Sequence, residues 1–354
     1  MMDTTRCNID VFADPAAWLE ILQEGGRLLR AGELVVFPTE TVYGLGANAW
    51  DAGACERIFA VKGRPADNPL IVHVASAEEA RGVVACWPEQ AALCAARFWP
   101  GPLTLVLPKS PSVPAVVTGG GETVAVRLPG HPVARALITC AQCPVAAPSA
   151  NVSGRPSPTQ ADHVWEDLAG KIPFIIDAGS CEVGLESTVL DLCGDKPVLL
   201  RPGGVSWEDL RELLGEVVLG EAVGKAEALP RSPGMKYRHY APQAPIRIIS
   251  GALDERVETI VSAVREKKTP LALLCFARTA DKLSPQILDA IEVVRVFPDD
   301  DGMREAAAGL FTALRACDQN RAGLILAETG ERTHMGLAYM DRLEKAAQGQ
   351  YSVS

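Results

Sequence analysis

The sequence predicts two α/β domains, of which the first is built on a mixed twisted sheet and the second is a small doubly wound, Rossmann-like domain. Short apolar runs alternate with amphipathic helical stretches over residues 1–214, and some of these runs follow one another directly. Residues 215–244 are rich in Gly, Ala, Glu and Pro and then polar, which predicts a linker. A second, regular strand–helix alternation fills residues 245–354.

The first domain is expected to open with a helix, a short strand and a loop. Asp14 can cap a helix that ends at Gly32, because aspartate accepts from free backbone N–H groups and glycine tolerates a helix end. The apolar run 34–37 predicts a strand, and the polar stretch 38–46 predicts a loop. Further strands are expected at 69–74, 103–107, 124–128, 174–177, 187–192 and 198–200, and helices at 51–62, 132–139, 162–168 and 206–214. Ser76 and Glu79 predict a capping box at the start of one more helix.

The second domain is expected to hold a parallel sheet. Apolar strands at 246–250, 271–276, 292–297 and 322–328 are separated by helical stretches long enough for crossover connections. No Gly-rich dinucleotide motif opens the domain, so its fold by itself assigns no ligand.

Composition narrows the classes of function and the cellular setting. The net charge of -10 argues against a general nucleic-acid binder, which would carry a basic face, so weak or no direct nucleic-acid binding is expected. The first twenty residues lack a signal-peptide core and no 18-residue apolar run occurs, so a soluble, cytoplasmic protein without membrane contact is expected. Of ten irregularly spaced cysteines, Cys140 and Cys143 form one C-x-x-C pair, interpreted as reduced core residues rather than a redox pair.

Three loops carry polar groups beyond what a simple turn requires. The loop 38–46 brings hydroxyls and glycine-flanked backbone to a strand end, where open sheets bind ligands, although a structural turn explains it equally well. Lys62 and Arg64 flank a glycine, a pairing suited to phosphate, but a solvated helix end is the alternative. The loop 148–158 offers small hydroxyls and backbone N–H groups to an anion, or forms an ordinary polar turn.

Charged residues also occur in apolar strands. Arg127 lies in an otherwise apolar run, where a guanidinium is costly unless a carboxylate from the protein or from a substrate pairs with it. Arg201 ends another strand and Ser187 begins one. His73 lies in a third strand, where a buried, hydrogen-bonded core histidine is the usual interpretation.

Together these segments resemble the threonylcarbamoyl-AMP synthase family, whose catalytic module is the YrdC-like domain. The resemblance follows the family's order over most of residues 20–215, and SPGMKYRHYAP with the trailing domain resembles the family's long form. The segments that carry it are PTETVYGLGA (38–47), KGRPADNPLIVHV (62–74), FWPGPLTLVL (98–107), VAVRLPGHPVA (124–134), APSANVSGRPSPT (147–159), GLESTV (184–189) and LRPGG (200–204).

The resemblance implies a reaction and a set of site residues. ATP, bicarbonate and L-threonine would give threonylcarbamoyl-AMP and pyrophosphate, and a separate transferase complex would pass the threonylcarbamoyl group to tRNA. Lys62, Arg64 and Arg201 would be catalytic, with Mg²⁺ held by the ATP phosphates and not by protein side chains. By matching position, L-threonine would be held by Thr41, His73, Arg127, Ala147 and Ser187, and ATP by Lys62, Arg64, Asn68, Thr123, Ser149, Asn151, Ser157, Arg201 and Tyr240.

Two other functions compete with this expectation. One is a related domain that makes carbamoyl adenylate from carbamoyl phosphate, although such proteins carry extra catalytic modules for which this chain has little room. The other is an RNA-binding or ribosome-associated module without catalysis, which the acidic charge disfavours. Within the synthase hypothesis the linker is expected to act as a lid, with Tyr240 closing over the nucleotide.

Overall fold

The computed structural model describes residues 2–220, 239–266, 268–299 and 303–347. These residues form two compact units. The first unit holds residues 2–153 and 157–220, and the second holds the described residues from 239 onward together with the short segment Gly154–Pro156. Most of the predicted linker, residues 221–238, lies outside the described residues, so the predicted boundaries at 214 and 244 stay predictions.

The first unit is a mixed sheet with helices packed on it. Its helices are a 3-10 turn (Pro15–Trp18), α1 (Leu19–Arg30), α2 (Ala52–Lys62), α3 (Ala77–Val83), α4 (Glu89–Phe98), α5 (Pro132–Ala141), α6 (Ala161–Leu168) and α7 (Trp207–Leu214). Its strands are β1 (Thr5–Asn8), β2 (Val35–Phe37), β3 (Gly44–Asn48), β4 (Ile71–His73), β5 (Leu103–Pro108), β6 (Thr123–Arg127), β7 (Val145–Ala147), β8 (Phe174–Asp177), β9 (Thr188–Asp191), β10 (Val198–Arg201) and β11 (Val218–Leu219).

The described strands of this unit form one sheet in the order β1-β8-β2-β3-β7-β4-β6-β5-β9-β10-β11. Neighbouring strands pair in both senses, since β4 runs parallel to β6 while β5 runs antiparallel to β6. The consecutive strands β9 and β10 pair antiparallel and form a hairpin. The mixed sheet predicted from the sequence is therefore the observed one.

Local sequence signals explain several of the helix ends. The Asp51 carboxylate accepts from the backbone N–H of Ala54 and begins α2, and Gly63 ends that helix with a φ of 62°. At α7 the Ser206 hydroxyl and the Asp209 carboxylate form a reciprocal capping box. These ends matter for function because α2 delivers Lys62 at its last residue.

The second unit carries a parallel four-stranded sheet, which confirms the doubly wound expectation; its order is β12 (Ile246–Ile249), β15 (Leu324–Glu328), β13 (Leu271–Phe276) and β14 (Val293–Phe297). The buried Glu328 carboxylate joins the ends of two strands, since it accepts from the Phe276 N–H at 2.9 Å and pairs with Arg256. The elements are β12 (Ile246–Ile249), α8 (Leu253–Glu266), β13 (Leu271–Phe276), α9 (Ala277–Ala280), α10 (Pro285–Asp289), β14 (Val293–Phe297), α11 (Arg304–Gln319), β15 (Leu324–Glu328) and α12 (Met335–Ala346).

Two elements of the first unit, β3 and α4, differ from what the sequence predicted. The predicted loop 38–46 ends earlier, because β3 begins at Gly44 and pairs antiparallel with β2. The sequence GLGAN hides this strand, since glycine and alanine have low strand propensity and only sheet pairing compensates. The helix α4 was not predicted. None of the helices in the described part of the chain is both long enough and apolar enough to cross a membrane.

The helices α1 and α5 approach closely because two glycines of α1 face α5. A Cβ placed on Gly26 would lie 2.7 Å from the backbone carbonyl oxygen of Cys140 and 2.9 Å from the Ala141 nitrogen. The neighbouring Gly25 faces Leu137 and Ile176 in the same apolar core. A side chain at Gly26 would therefore meet backbone, which cannot rotate away.

Gly26→Ala should destabilise the protein, because α5 must shift to admit the methyl group. We expect the free energy of unfolding in urea to fall by about 1–3 kcal/mol. Gly82→Ala in α3 is the matched control, since nothing lies within 4 Å of its added Cβ, and it should leave stability unchanged or slightly raised. Equal stabilities for the two variants would contradict the close helix packing.

Candidate active site

Several of the predicted residues lie at one edge of the large sheet. The strands β4 and β6 are parallel, and their last residues, His73 and Arg127, are paired in register. Next along the sheet, β5 and β9 begin at this edge, and Leu103 pairs with Thr188. Sheet register thus gathers residues that are far apart in sequence.

Arg127 is 3% exposed and is held by three groups of the protein. Its Nε donates to the Gly101 carbonyl at 3.1 Å, and its Nη1 donates to the Thr41 hydroxyl at 2.9 Å. Its Nη2 lies 2.7 Å from Glu40 Oε1, a buried ion pair. The carboxylate partner left open by the sequence is therefore supplied by the loop that follows β2.

Glu40 is kept ionised by this pairing. Burial by itself would raise the pKa of Glu40, but the Arg127 charge and the Gly130 N–H, which donates at 2.9 Å, outweigh burial and lower that pKa below its ordinary value. A carboxylate buried next to an arginine and a backbone donor is the usual way in which a protein carries an internal charge. The loop after β2 is thus fixed to the end of β6.

His73 is buried beside Arg127. Burial, and secondarily the positive charge of Arg127, lowers the pKa of His73 to about 3. Its Nδ1 lies 3.2 Å from the Ile71 carbonyl oxygen, and its ring meets the Phe37 ring edge-on. His73 is therefore a neutral imidazole at physiological pH and adds no charge to the site.

A second arginine is held at the start of β9. Arg201 Nε donates to the Ser187 carbonyl at 3.1 Å, and its Nη2 donates to the Ser187 hydroxyl at 3.2 Å. The Ser187 hydroxyl also lies 2.7 Å from the Thr104 hydroxyl of β5. Arg201 and Ser187, predicted for different substrates, thus lie in contact.

The loop 149–158 is attached to the end of α2. Lys62 is 2% exposed, and its Nζ donates to the carbonyl oxygens of Ser149 and Asn151. The Ser149 hydroxyl in turn donates to Asn151 Oδ1 at 2.5 Å. Three of the residues predicted for ATP therefore form one hydrogen-bonded group around a buried ammonium.

Segment 181–187 forms hydrogen bonds with both the loop after β2 and the loop 149–158. The Ser157 hydroxyl donates to Glu186 Oε1 at 2.5 Å, and the Val183 N–H donates to the Glu40 carbonyl oxygen at 2.8 Å. Glu186, which binds Ser157, is followed directly by Ser187, which binds Arg201. The segment therefore links these two contacts. These hydrogen bonds therefore connect residues predicted to bind L-threonine with residues predicted to bind ATP, all within the first unit.

Other predicted residues lie apart from these contacts. Arg64 donates to the carbonyl oxygens of Asn68 and Pro69 in its own loop, at 3.1 and 2.8 Å. Thr123 lies at the opposite end of β6 from Arg127, and Ala147 pairs with Ile71 at the far end of β4. Tyr240 belongs to the second unit.

Three residues that were not singled out from the sequence hold the predicted ones in place. Glu40 pairs with Arg127, Glu186 with Ser157, and Thr104 with Ser187. Glu40 and Glu186 stand inside the segments PTETVYGLGA and GLESTV, so the motifs already contained them. A carboxylate within a segment otherwise assigned to substrate binding was the signal that could have identified them.

Comparison with known proteins assigns the chain to a family. A family model described as telomere recombination matches residues 27–203, and one described as threonylcarbamoyl-AMP synthase, C-terminal domain, matches residues 205–348. A threonylcarbamoyl-AMP synthase of Bacillus subtilis is 43% identical over 99% of both chains. The chain belongs to the threonylcarbamoyl-AMP synthase family.

Other members support this assignment over nearly the whole length. A threonylcarbamoyl-AMP synthase of Pyrococcus abyssi is 49% identical over 90% of this chain and 92% of its own. The crystal structure of a Pyrococcus abyssi protein complexed with L-threonine is 44% identical, covers 99% of this chain and 100% of its own, and has a TM-score of 0.89. Both the fold and the family predicted from the sequence are therefore confirmed.

Breaking the pair formed by Arg127 and Glu40 should destabilise the protein strongly. Glu40→Gln removes the charge but keeps a similar shape, leaving the buried Arg127 cation uncompensated, so we expect the free energy of unfolding to fall by about 3 kcal/mol. Glu78→Gln is the matched control, because Glu78 is 90% exposed and lies 3.9 Å from Arg81. Urea denaturation should show no measurable change for that control, and a similarly small change for Glu40→Gln would contradict the pairing.

His73 should make the free energy of unfolding depend on pH in the acidic range. The pKa of His73 is about 3 in the folded protein and ordinarily 6.5. At a pH between these two values the unfolded chain binds a proton at His73 and the folded chain does not. His73→Asn keeps a donor near the Nδ1 position and does not titrate. The stability advantage of the wild type over this variant should be constant above pH 7 and shrink as the pH falls from 6.5 to 4, and parallel stability curves would refute the low pKa.

Proposed function

We propose that the protein is a threonylcarbamoyl-AMP synthase that acts by nucleotidyl transfer. In the first step the amine of L-threonine combines with bicarbonate to give the carbamate and water. In the second step a carbamate oxygen attacks the α-phosphorus of ATP, the bond to the β-phosphate oxygen breaks, and pyrophosphate leaves. The observation that carries the proposal is a set of three buried cations, Lys62, Arg127 and Arg201, within a chain whose relatives with this name match it end to end.

Arg127 is the proposed partner of the threonine carboxylate. Its guanidinium already has a fixed orientation through Gly101, Thr41 and Glu40, so little side-chain entropy remains to be lost on binding. A planar guanidinium suits a carboxylate better than an ammonium does. The neutral imidazole of His73 beside it can hydrogen-bond without repelling the amine of the substrate.

Lys62 and Arg201 are proposed to face the phosphates. Both are buried; Lys62 donates to backbone oxygens, and Arg201 donates to the backbone and hydroxyl of Ser187. Their charge can therefore offset the negative charge that develops on the leaving pyrophosphate. Arg64, which is bound to its own loop, is proposed to reach ATP from the end of α2.

The proposed chemistry needs no covalent enzyme intermediate. Alignment of the carbamate with the α-phosphorus, together with neutralised charge, can supply most of the acceleration. Mg²⁺ enters as part of the ATP substrate, held by phosphate oxygens, which match its preference for hard oxygen ligands. The adenylate product would then be consumed by a tRNA threonylcarbamoyl-transferase complex in the cytoplasm.

Pyrophosphate release tests the proposal directly. The protein, ATP and Mg²⁺ should release pyrophosphate rapidly only when both L-threonine and bicarbonate are present, and mass spectrometry should detect threonylcarbamoyl-AMP. Omitting either substrate should abolish the adenylate. Release that does not depend on L-threonine would contradict the proposed function.

Substitutions of Arg127 and of Lys62 should change the KM values for L-threonine and ATP differently. Arg127→Ala should raise the KM for L-threonine about 30-fold, since a lost charge partner for a carboxylate costs at least ~2 kcal/mol, and should spare the KM for ATP. Lys62→Ala should raise the KM for ATP, spare the KM for L-threonine and slow pyrophosphate release. Equal losses for both substrates in either variant would indicate general misfolding and remove that residue from its proposed role.

Tyr240 is proposed to act as part of a lid over the nucleotide, because a carbamate decomposes in water and an enclosed site protects it. Tyr240→Ala should then raise the KM for ATP and increase futile loss of the carbamate, measured as ATP consumed per adenylate formed. An unchanged KM for ATP and an unchanged ratio would exclude the lid role.

A further inference from the structure

The strand β5 of the first unit carries one polar side chain, the hydroxyl of Thr104, among leucine, valine and proline. Thr104 is 0% exposed, and a buried hydroxyl is costly unless it has a hydrogen-bond partner. In the part of the chain that the structure describes, this partner is the Ser187 hydroxyl, with 2.7 Å between the two oxygens. The burial of Thr104 therefore depends on Ser187, which the family resemblance assigns to L-threonine.

Sheet register places this hydroxyl pair beside Arg127. The strands β5 and β6 are antiparallel, and Leu105 pairs with Val126. Thr104 comes one residue before Leu105 and Arg127 one residue after Val126, so the two stand opposite each other. Opposed residues of neighbouring strands present their side chains on the same face of the sheet. The pair formed by Thr104 and Ser187 therefore lies next to the arginine that is proposed to bind the threonine carboxylate.

The hydrogens of the two hydroxyls cannot both be used within the described protein. A serine or threonine hydroxyl donates one hydrogen bond and accepts up to two. The Ser187 oxygen accepts from Arg201 Nη2 at 3.2 Å, and Ser187 and Thr104 share a single hydrogen bond. Since neither hydroxyl has a further partner among the described residues, one of the two hydrogens has no acceptor there.

The position of this unused hydrogen decides what the pair can do. If Ser187 donates to Thr104, the unused hydrogen belongs to Thr104 and is buried within the sheet, which costs free energy. If Thr104 donates to Ser187, the Ser187 oxygen accepts from both Thr104 and Arg201, and its own hydrogen points away from them. Only the second arrangement lets Ser187 donate a hydrogen bond to a ligand.

We propose that Thr104 is a positioning residue for L-threonine, because it fixes the Ser187 hydroxyl as a hydrogen-bond donor to the substrate. The inference rests on the proposed function and adds the direction of one hydrogen bond to it. The acceptor is an oxygen of L-threonine, since the amine needs its lone pair for the reaction with bicarbonate. Thr104 itself does not touch the substrate.

Kinetics of Thr104 variants test the proposal. Thr104→Val removes the hydroxyl and keeps the shape, so the KM for L-threonine should rise about fivefold, the size of one neutral hydrogen bond. The KM for ATP should change by less than about twofold, because the Ser187 carbonyl still holds Arg201. Thr104→Ser restores the hydroxyl and should return the KM for L-threonine close to the wild-type value. A wild-type KM for L-threonine in Thr104→Val would overturn the proposal.

A matched control separates this effect from a loss of stability. Thr118 is also a buried threonine of the first unit, and its hydroxyl donates to the Gly121 carbonyl oxygen at 2.7 Å. Thr118→Val should lower the free energy of unfolding and leave the KM for L-threonine unchanged. An equal rise in this KM for Thr118→Val and Thr104→Val would show a general structural effect and contradict the positioning role.

A double substitution shows whether Thr104 acts through Ser187. Ser187→Ala removes the donor and should raise the KM for L-threonine about tenfold. Adding Thr104→Val to Ser187→Ala should cause no further rise, because the hydroxyl that Thr104 orients is gone. Effects that multiply in the double variant would mean that Thr104 acts independently of Ser187, and would refute the proposal.

Binding of L-threonine, measured by isothermal titration calorimetry, gives a readout that does not depend on turnover. The Kd should rise about fivefold in Thr104→Val and return close to the wild-type value in Thr104→Ser. If the wild type binds L-threonine but releases no pyrophosphate, the proposed function fails, while the Kd values still decide the role of Thr104. Equal Kd values for the wild type and Thr104→Val would overturn the inference, and a wild type that does not bind L-threonine would overturn both.

Discussion

The buried ion pair between Arg127 and Glu40 is the interaction on which the candidate active site depends. An arginine at the end of a central strand has no water to solvate it, so a carboxylate must approach it from elsewhere in the chain. Glu40 fulfils this need and brings with it the loop after β2, including Thr41. The cost of burying one charge therefore helps to fix the path of the loop between the paired strands β2 and β3.

The same principle recurs at the other cations of the site. Lys62 is held by backbone oxygens of the loop 149–158, and Arg201 by the backbone and hydroxyl of Ser187. These hydrogen bonds give the two cations fixed orientations. A site organised in this way suits a reaction between anions, in which fixed positive charge replaces a covalent intermediate.

The loop 149–158 is restrained at two points within the first unit, and this gives it a central place in the proposed function. Lys62 binds its first part, and Glu186 binds Ser157. A loop held at two points has few conformations to lose when a nucleotide binds, which favours affinity.

The sequence by itself determined the class of both sheets, several helix ends and the need of Arg127 for a partner, because these follow from local periodicity, capping residues and the cost of an arginine in an apolar strand. It did not determine that Gly44 begins a strand, or that Glu40 and not a ligand neutralises Arg127 in the protein alone. These features join residues 7 and 87 positions apart in the chain. Only tertiary packing decides which of many possible partners lies within hydrogen-bonding distance, since local sequence fixes the chemistry of a side chain but not its neighbours.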